Sequence, residues 1–247
     1  MTGMLASVTS VVEADIVLNT GVDIIDLKNP HEGALGALDT NVVTEIVESV
    51  NGAVITSATV GDIESNDKCL EDYIYKMAAT GVDIVKVGLF DSTPTEHFID
   101  CIGKAAKQKI NLVIVIFAEN YTGNESFEPL LETGINGVML DTKDKMSKNL
   151  RDVLRDDVLN KFVKTVKKYE LLTGLAGSLR HEDINSLLLL EPDYLGFRGA
   201  LCSENNRVNQ IDQYKIKNIR NAIPQHKIIN YDNREYKKET LSNGTVA

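Results

Sequence analysis

Thr20-Gly21-Val22-Asp23-Ile24 and Thr80-Gly81-Val82-Asp83-Ile84 share four of their side chains and the glycine, and Thr133-Gly134-Ile135-Asn136 repeats the pattern a third time. Each copy stands just before or at the start of a short apolar run. Glycine there suits the left-handed residue that closes a helix before the chain enters a strand. Working outward from these anchors, eight apolar runs recur at fairly even spacing: 5–8, 23–28, 53–59, 83–89, 112–118, 137–142, 172–177 and 194–199. Longer mixed segments of amphipathic character follow them, so the chain reads as repeated βα units. Nearly continuous apolar strands are what a parallel sheet buried on both faces requires. An echo at every second unit matches a barrel filled by alternating layers. The expected fold is therefore an α/β protein, a (β/α)8 TIM barrel, with a doubly wound open sheet as the structural rival.

A chain of 247 residues suits one such barrel, whose usual length is roughly 250 residues. Residues 1–230 are assigned to a single barrel domain, and the polar, charge-rich stretch 231–247 to a flexible C-terminal tail. Hydrophobic residues at 43% and charged residues at 25% are an ordinary globular balance with enough apolar side chains for a sizeable core. The formal net charge of -10 repels phosphate backbones and anionic lipid, so neither nucleic acid nor a membrane is expected as partner. A small anionic substrate then needs a local cationic pocket. Cys69, Cys101 and Cys202 are too few and too scattered for a disulfide framework or a paired-cysteine zinc site. The opening MTGMLASVTS has no basic stretch followed by an apolar run. Together these features point to a cytoplasmic protein with reduced thiols, compatible with a homo-oligomer.

The anchors also fix side-chain direction, because residues an even number of positions apart on a strand face the same way. Lys28 and Asp141 lie equally far beyond Gly21 and Gly134, and Asp26 and Lys86 equally far beyond Gly21 and Gly81. One parity thus carries Asp26 and Lys28, Lys86 and Gly88, Met139 and Asp141. The other carries Ile25, Leu27, Val85, Val87, Val138 and Leu140, all apolar and expected to pack outward under the helices. Burying lysines and aspartates together is unfavourable unless they pair, so their placement calls for an explanation. The carboxyl ends of barrel strands are where catalytic residues collect. Two neighbouring ammonium groups, Lys28 and Lys86, each disfavour the other's charge, which lowers a pKa and frees an amine to attack a carbonyl carbon. The plainer reading of any one such lysine is a solvated end-cap or half of a structural ion pair. Three charged strand ends of matching parity favour imine chemistry.

Loops add further candidates. Lys143 and Lys145 follow Asp141 in a short basic run, either a solvated surface or, for Lys145, a cation that curls back over the mouth. Gly177 and Ser178 after the seventh run, and Arg198 and Gly199 after the eighth, stand where barrels bind phosphate; turn geometry explains the glycines equally well. Arg198 is expected to meet phosphate or, failing that, to pair with Asp26 or Asp141. Cys202 is either a site thiol or a small buried filler. His31, His97, His181 and His226 show no metal-ligand spacing, so no metal is expected.

The blocks Asp26-Leu-Lys28-Asn29-Pro30, His-Glu32-Gly33, Ala-Leu-Gly36, Ser57-Ala-Thr-Val-Gly61-Asp62, Lys86-Val-Gly88-Leu, Met139-Leu-Asp141-Thr, Leu175-Ala-Gly-Ser178 and Arg198-Gly-Ala resemble the (5-formylfuran-3-yl)methyl phosphate synthase family from about Gly21 to Asp212. The resemblance implies a barrel lyase that condenses two molecules of glyceraldehyde 3-phosphate to a furan precursor of methanofuran, needing no cofactor. It further implies that Lys28 forms the Schiff base, that Lys86 and Asp141 transfer protons, that Asp26 is the partner carboxylate and that Lys145 is the loop lysine. Two stretches depart from the family. Ser203-Glu-Asn-Asn-Arg-Val-Asn-Gln210 stands where a glycine-rich loop is usual, and Ile116-Phe117-Ala118-Glu119-Asn120 replaces smaller residues before a shortened helix. Two other readings stand beside this one: a different phosphosugar aldolase or epimerase on the same scaffold, and a catalytically silent paralogue that binds a metabolite.

Overall fold

The structure is a computed structural model that describes residues 2–125, 127–144 and 148–224. Its eight parallel strands close into a barrel in chain order. They are β1 (Gly3–Val8), β2 (Ile24–Leu27), β3 (Ile55–Thr59), β4 (Ile84–Leu89), β5 (Leu112–Phe117), β6 (Gly137–Asp141), β7 (Leu172–Leu175) and β8 (Tyr194–Phe197). Helices α1 (Val11–Leu18), α2 (Thr40–Val50), α3 (Leu70–Ala78) and α4 (Glu96–Lys107) follow the first four strands. The short α5 (Glu128–Leu131) follows β5, α6 (Leu150–Val153) and α7 (Asp156–Lys168) follow β6, α8 (Ile184–Leu188) follows β7, and α9 (Gln213–Ala222) follows β8. Every apolar run read from the sequence is a strand. The open-sheet rival is excluded by the β1–β8 pairing. The proposed tail, 231–247, lies outside the described residues.

The repeated Thr-Gly-x-Asp anchors are hydrogen-bonded staples at the amino-terminal end of the barrel. Thr20, Thr80 and Thr133 donate their hydroxyls to the carbonyls of Val17, Met77 and Leu130, capping the last turn of the preceding helix. Gly21, Gly81 and Gly134 then take positive φ of 76, 84 and 95°, the left-handed step that turns the chain toward the sheet. The acid or amide two residues on accepts a backbone N–H of the strand before it: Asp23 from Met4 at 2.6 Å, Asp83 from Thr56 at 2.7 Å, Asn136 from Leu112 at 2.9 Å. Asp193 does the same for Thr173 without the full motif. Arg220 of α9 is buried beneath the barrel, donating to Asp23 at 2.6 Å and to the carbonyls of Gly21 and Ile223.

Side-chain parity divides the core as expected. Ile25, Leu27, Val85, Val87, Val138 and Leu140 pack into the layer between strands and helices, with Val43, Ile46, Phe98, Ile102 and Phe162 among their neighbours. The barrel interior is a separate cluster holding Leu5, Ile24, Ile84, Val113, Val115, Met139 and Leu172. The β2–α2 loop folds inward to join it: Ala34 and Leu35 are buried there with Phe117, and Phe90 packs against them. Gly88 of β4 leaves the space for this, since a Cβ there would lie 2.6 Å from Phe90 and 2.7 Å from Leu35. The mouth is thereby plugged on its β3–β5 side, and the loops after β6, β7 and β8 contribute lining residues to the cavity among the described residues.

Candidate active site

Ser7, Asp26 and Ser57 form one rung across β1, β2 and β3. Asp26 is fully buried and accepts both hydroxyls, Ser7 at 2.9 Å and Ser57 at 2.6 Å. Hydrogen-bonded register carries this rung on to Ile84, two residues before Lys86. Strands in a closed barrel are tilted and staggered, so residues of equal height are displaced along the register from strand to strand. Lys86 therefore reaches Asp26 at 2.9 Å, the two standing at the equal height that their spacing from the anchor glycines implies. One layer higher, Lys28 meets Asp141 at 3.5 Å. All four charged side chains line one cavity of about 660 Å³ at the carboxyl ends of the strands, within the roughly 300–1,000 Å³ usual for small-molecule sites.

The two ion pairs differ in character. Burial opposes ionisation of Asp26, but the Lys86 and Lys28 ammonium groups and the Ser57 hydroxyl outweigh it and hold the carboxyl below its ordinary value. Lys28 is pulled the other way. Burial lowers its pKa, Asp141 and Asp26 oppose that, and Lys86 and Arg207 add to it. The expected repulsion between the two lysines is thus present, while burial is the larger cause. Asp141 is also oriented by a 2.8 Å bond from the Thr142 amide.

Gly177, Ser178, Arg198 and Gly199 all border the cavity, as expected. Gly177 has φ of 110° and a Cβ there would lie 2.8 Å from Thr142, so the close approach of the β6 and β7 loops requires glycine. Arg198 corrects the sequence reading. Its Nε donates to the Arg207 carbonyl, one terminal nitrogen to Ser7 O and Glu13, and the other to Glu13 and Asn209 O. Five N–H groups have five acceptors, so the guanidinium holds the β8 loop, and its carboxylate is Glu13 rather than Asp26 or Asp141. Cys202 is a buried filler whose thiol, raised by burial, is pushed up to about 11. Lys145 lies outside the described residues. Lys143 extends over the Phe90 ring, 5.7 Å from its centroid.

Several site groups escaped the sequence reading. Ser57 stood inside a quoted motif, and its inward parity on β3 was available. Ser7 had no charged neighbour on β1 to mark it. Asp62 explains why two motif blocks occur together: its carboxylate accepts the amides of Ala34 at 2.9 Å and Leu35 at 2.6 Å, fixing the plug. Gly33, with φ of 78°, is needed because a Cβ would fall 2.0 Å from that carboxylate. Arg207 and Lys148 also line the cavity, from the β8 and β6 loops. In the β8 loop, Glu204 and Asn205 take φ of 57 and 56°. The left-handed backbone that glycines adopt freely is taken there by side-chain-bearing residues.

A family model described as 4-HFC-P synthase matches residues 4–220. The (5-formylfuran-3-yl)methyl phosphate synthase of Methanopyrus kandleri is 33% identical over 206 residues, 79% of this chain and 87% of that protein. Its namesake in Methanosarcina barkeri is 31% identical over 218 residues, covering 84% and 93%. Among solved structures, 3-hexulose-6-phosphate synthase superposes with a TM-score of 0.62 at 16% identity, over 90% of this chain and 100% of that one. Phosphoribosyl anthranilate isomerase from Thermus thermophilus gives 0.63 at 12% identity, over 90% and 98%. At such identities these two speak for the barrel alone.

Proposed function

Because the chain belongs to the 4-HFC-P synthase family, we propose that its barrel, residues 1–230, condenses two molecules of glyceraldehyde 3-phosphate to (5-formylfuran-3-yl)methyl phosphate through an imine on Lys28. The product would serve a methanofuran-type cofactor. The observation that carries this reading is a buried lysine of lowered pKa facing a carboxylate across 3.5 Å inside a cavity. An uncharged Nζ attacks the aldehyde carbon; the nitrogen then loses a proton and water departs from the carbinolamine. Asp141, 3.5 Å from that nitrogen, takes and returns the proton. Lys86, hydrogen-bonded to an ionised Asp26, presents an ammonium as the acid for the second carbonyl. Loss of a proton beside the imine gives the enamine carbon that adds to the second aldehyde; loss of one phosphate, a net loss of two waters and hydrolysis of the imine from Lys28 release the aromatic aldehyde.

Gly177, Ser178 and Gly199 offer backbone and hydroxyl groups for one phosphate on the β7–β8 side of the mouth. Incubation with glyceraldehyde 3-phosphate should give the ultraviolet absorbance of a conjugated furan aldehyde, and borohydride should trap an adduct whose mass maps to Lys28. Absence of any lysine adduct under turnover conditions would remove the imine.

A further inference from the structure

The β8 loop holds two arginines with opposite situations. Arg198 is satisfied at every N–H and uses one of them to fix the carbonyl of Arg207 at 2.8 Å. Arg207, so anchored, extends from the β8 loop to the β2–α2 loop and makes a single long bond among the described residues, 3.3 Å to the Gly33 carbonyl. It is half-buried, lines the cavity and has no ion pair among the described residues. Its charge is felt by Lys28, and it feels Asp141 and Asp62 in turn. Partial burial lowers its pKa, and a half-buried guanidinium with most of its donors unengaged by the described residues is open to an anion entering the cavity.

We propose that Arg207 is the cationic ligand of a second phosphate subsite, on the β2 side of the mouth and apart from the Gly177–Ser178–Gly199 side. The inference rests on reading the cavity as a site for phosphorylated aldehydes, and it supplies what a reaction of two such molecules needs: separate places for two phosphate groups. The planar fork of arginine suits bidentate capture of a phosphate monoester, and the reach to Gly33 sets it over the pocket that contains Lys28 and Asp141.

The test compares wild type with Arg207→Gln and Arg207→Lys, each checked for an unchanged thermal midpoint. Calorimetry with inorganic phosphate and the KM for glyceraldehyde 3-phosphate are the primary readings. Arg207→Gln should raise KM and weaken phosphate binding by roughly 10–100-fold each, with kcat changing less, and Arg207→Lys should recover part of both. Borohydride trapping supplies a reading that a purely structural role would not move. The ratio of adduct formed with glyceraldehyde 3-phosphate to that formed with unphosphorylated glyceraldehyde should fall in Arg207→Gln. Unchanged KM and phosphate binding, or equal loss of trapping with both aldehydes, would overturn the subsite. A wild-type protein that makes no furan yet binds phosphate through Arg207 would leave the subsite standing and sink only the condensation.

Discussion

The two ends of this barrel use the same kinds of residue for opposite purposes. At the amino-terminal end, Asp23, Asp83, Asn136 and Asp193 are each bonded to a backbone amide, and the buried Arg220 closes on Asp23. Polarity there is matched to fixed partners within the chain except at Arg220 Nε, which is buried without one. At the carboxyl-terminal end, Asp26, Lys28, Lys86 and Asp141 are matched chiefly to one another around an open cavity, with Arg207 hardly matched at all. The first arrangement lowers the energy of the fold. The second keeps charge out of water without neutralising it in a permanent way, which is how groups remain available to a substrate.

That contrast can be broken most directly at Lys28. Lys28→Met should bring furan formation below detection in a protein that still folds, with some loss of thermal midpoint because Asp141 is left buried without its partner. Midpoint and turnover measured on the same preparation decide it; furan formation that persists in the folded variant would make Lys28 part of the scaffold. Lys86→Met should lower kcat by roughly 10²–10⁴-fold, the range of a lost acid–base group. Asp23→Ala is the reciprocal case. It strands Arg220 and the Met4 amide, and should lower unfolding free energy by about 2–4 kcal/mol in denaturant titrations while activity per folded molecule persists.

Electrostatics sharpen the contrast further. Since Lys28 acts uncharged, the acid limb of kcat/KM should lie below the ordinary lysine value of 10.5. Asp141 raises that pKa and Arg207 lowers it, so Asp141→Asn should move the limb to lower pH and Arg207→Gln to higher pH. Limbs moving together would mean another group is being titrated. The smallest effect is expected in the β8 loop, where Glu204→Gly relieves a left-handed backbone and should add about 0.5–1 kcal/mol of stability.

The fold was legible because its deciding signals are local. A threonine hydroxyl reaching three residues back, a left-handed glycine and an acid capping the neighbouring strand all fall within four positions, so they survive as a readable word. The four central charges were legible for a related reason: strand periodicity is fixed, and the glycines supplied a common origin for counting. Their partners were harder, because barrel stagger decides that Lys86 meets Asp26 and Lys28 meets Asp141. Arg198 was misread for want of long-range information, its carboxylate being Glu13, at the far end of the chain. Arg207 owes its place to the same guanidinium, whose Nε holds its carbonyl, and no spacing rule announces where a side chain on an irregular loop will point.

Leu35, lodged against Phe117 and Phe90 over Gly88, closes one flank of the mouth and, among the described residues, leaves traffic to the other. Arriving aldehyde and departing phosphate must then share a doorway, and each expelled anion passes the very groups that welcome the next guest. Under the proposed reaction, inorganic phosphate should therefore compete with substrate as it accumulates, slowing the barrel in proportion to its own output.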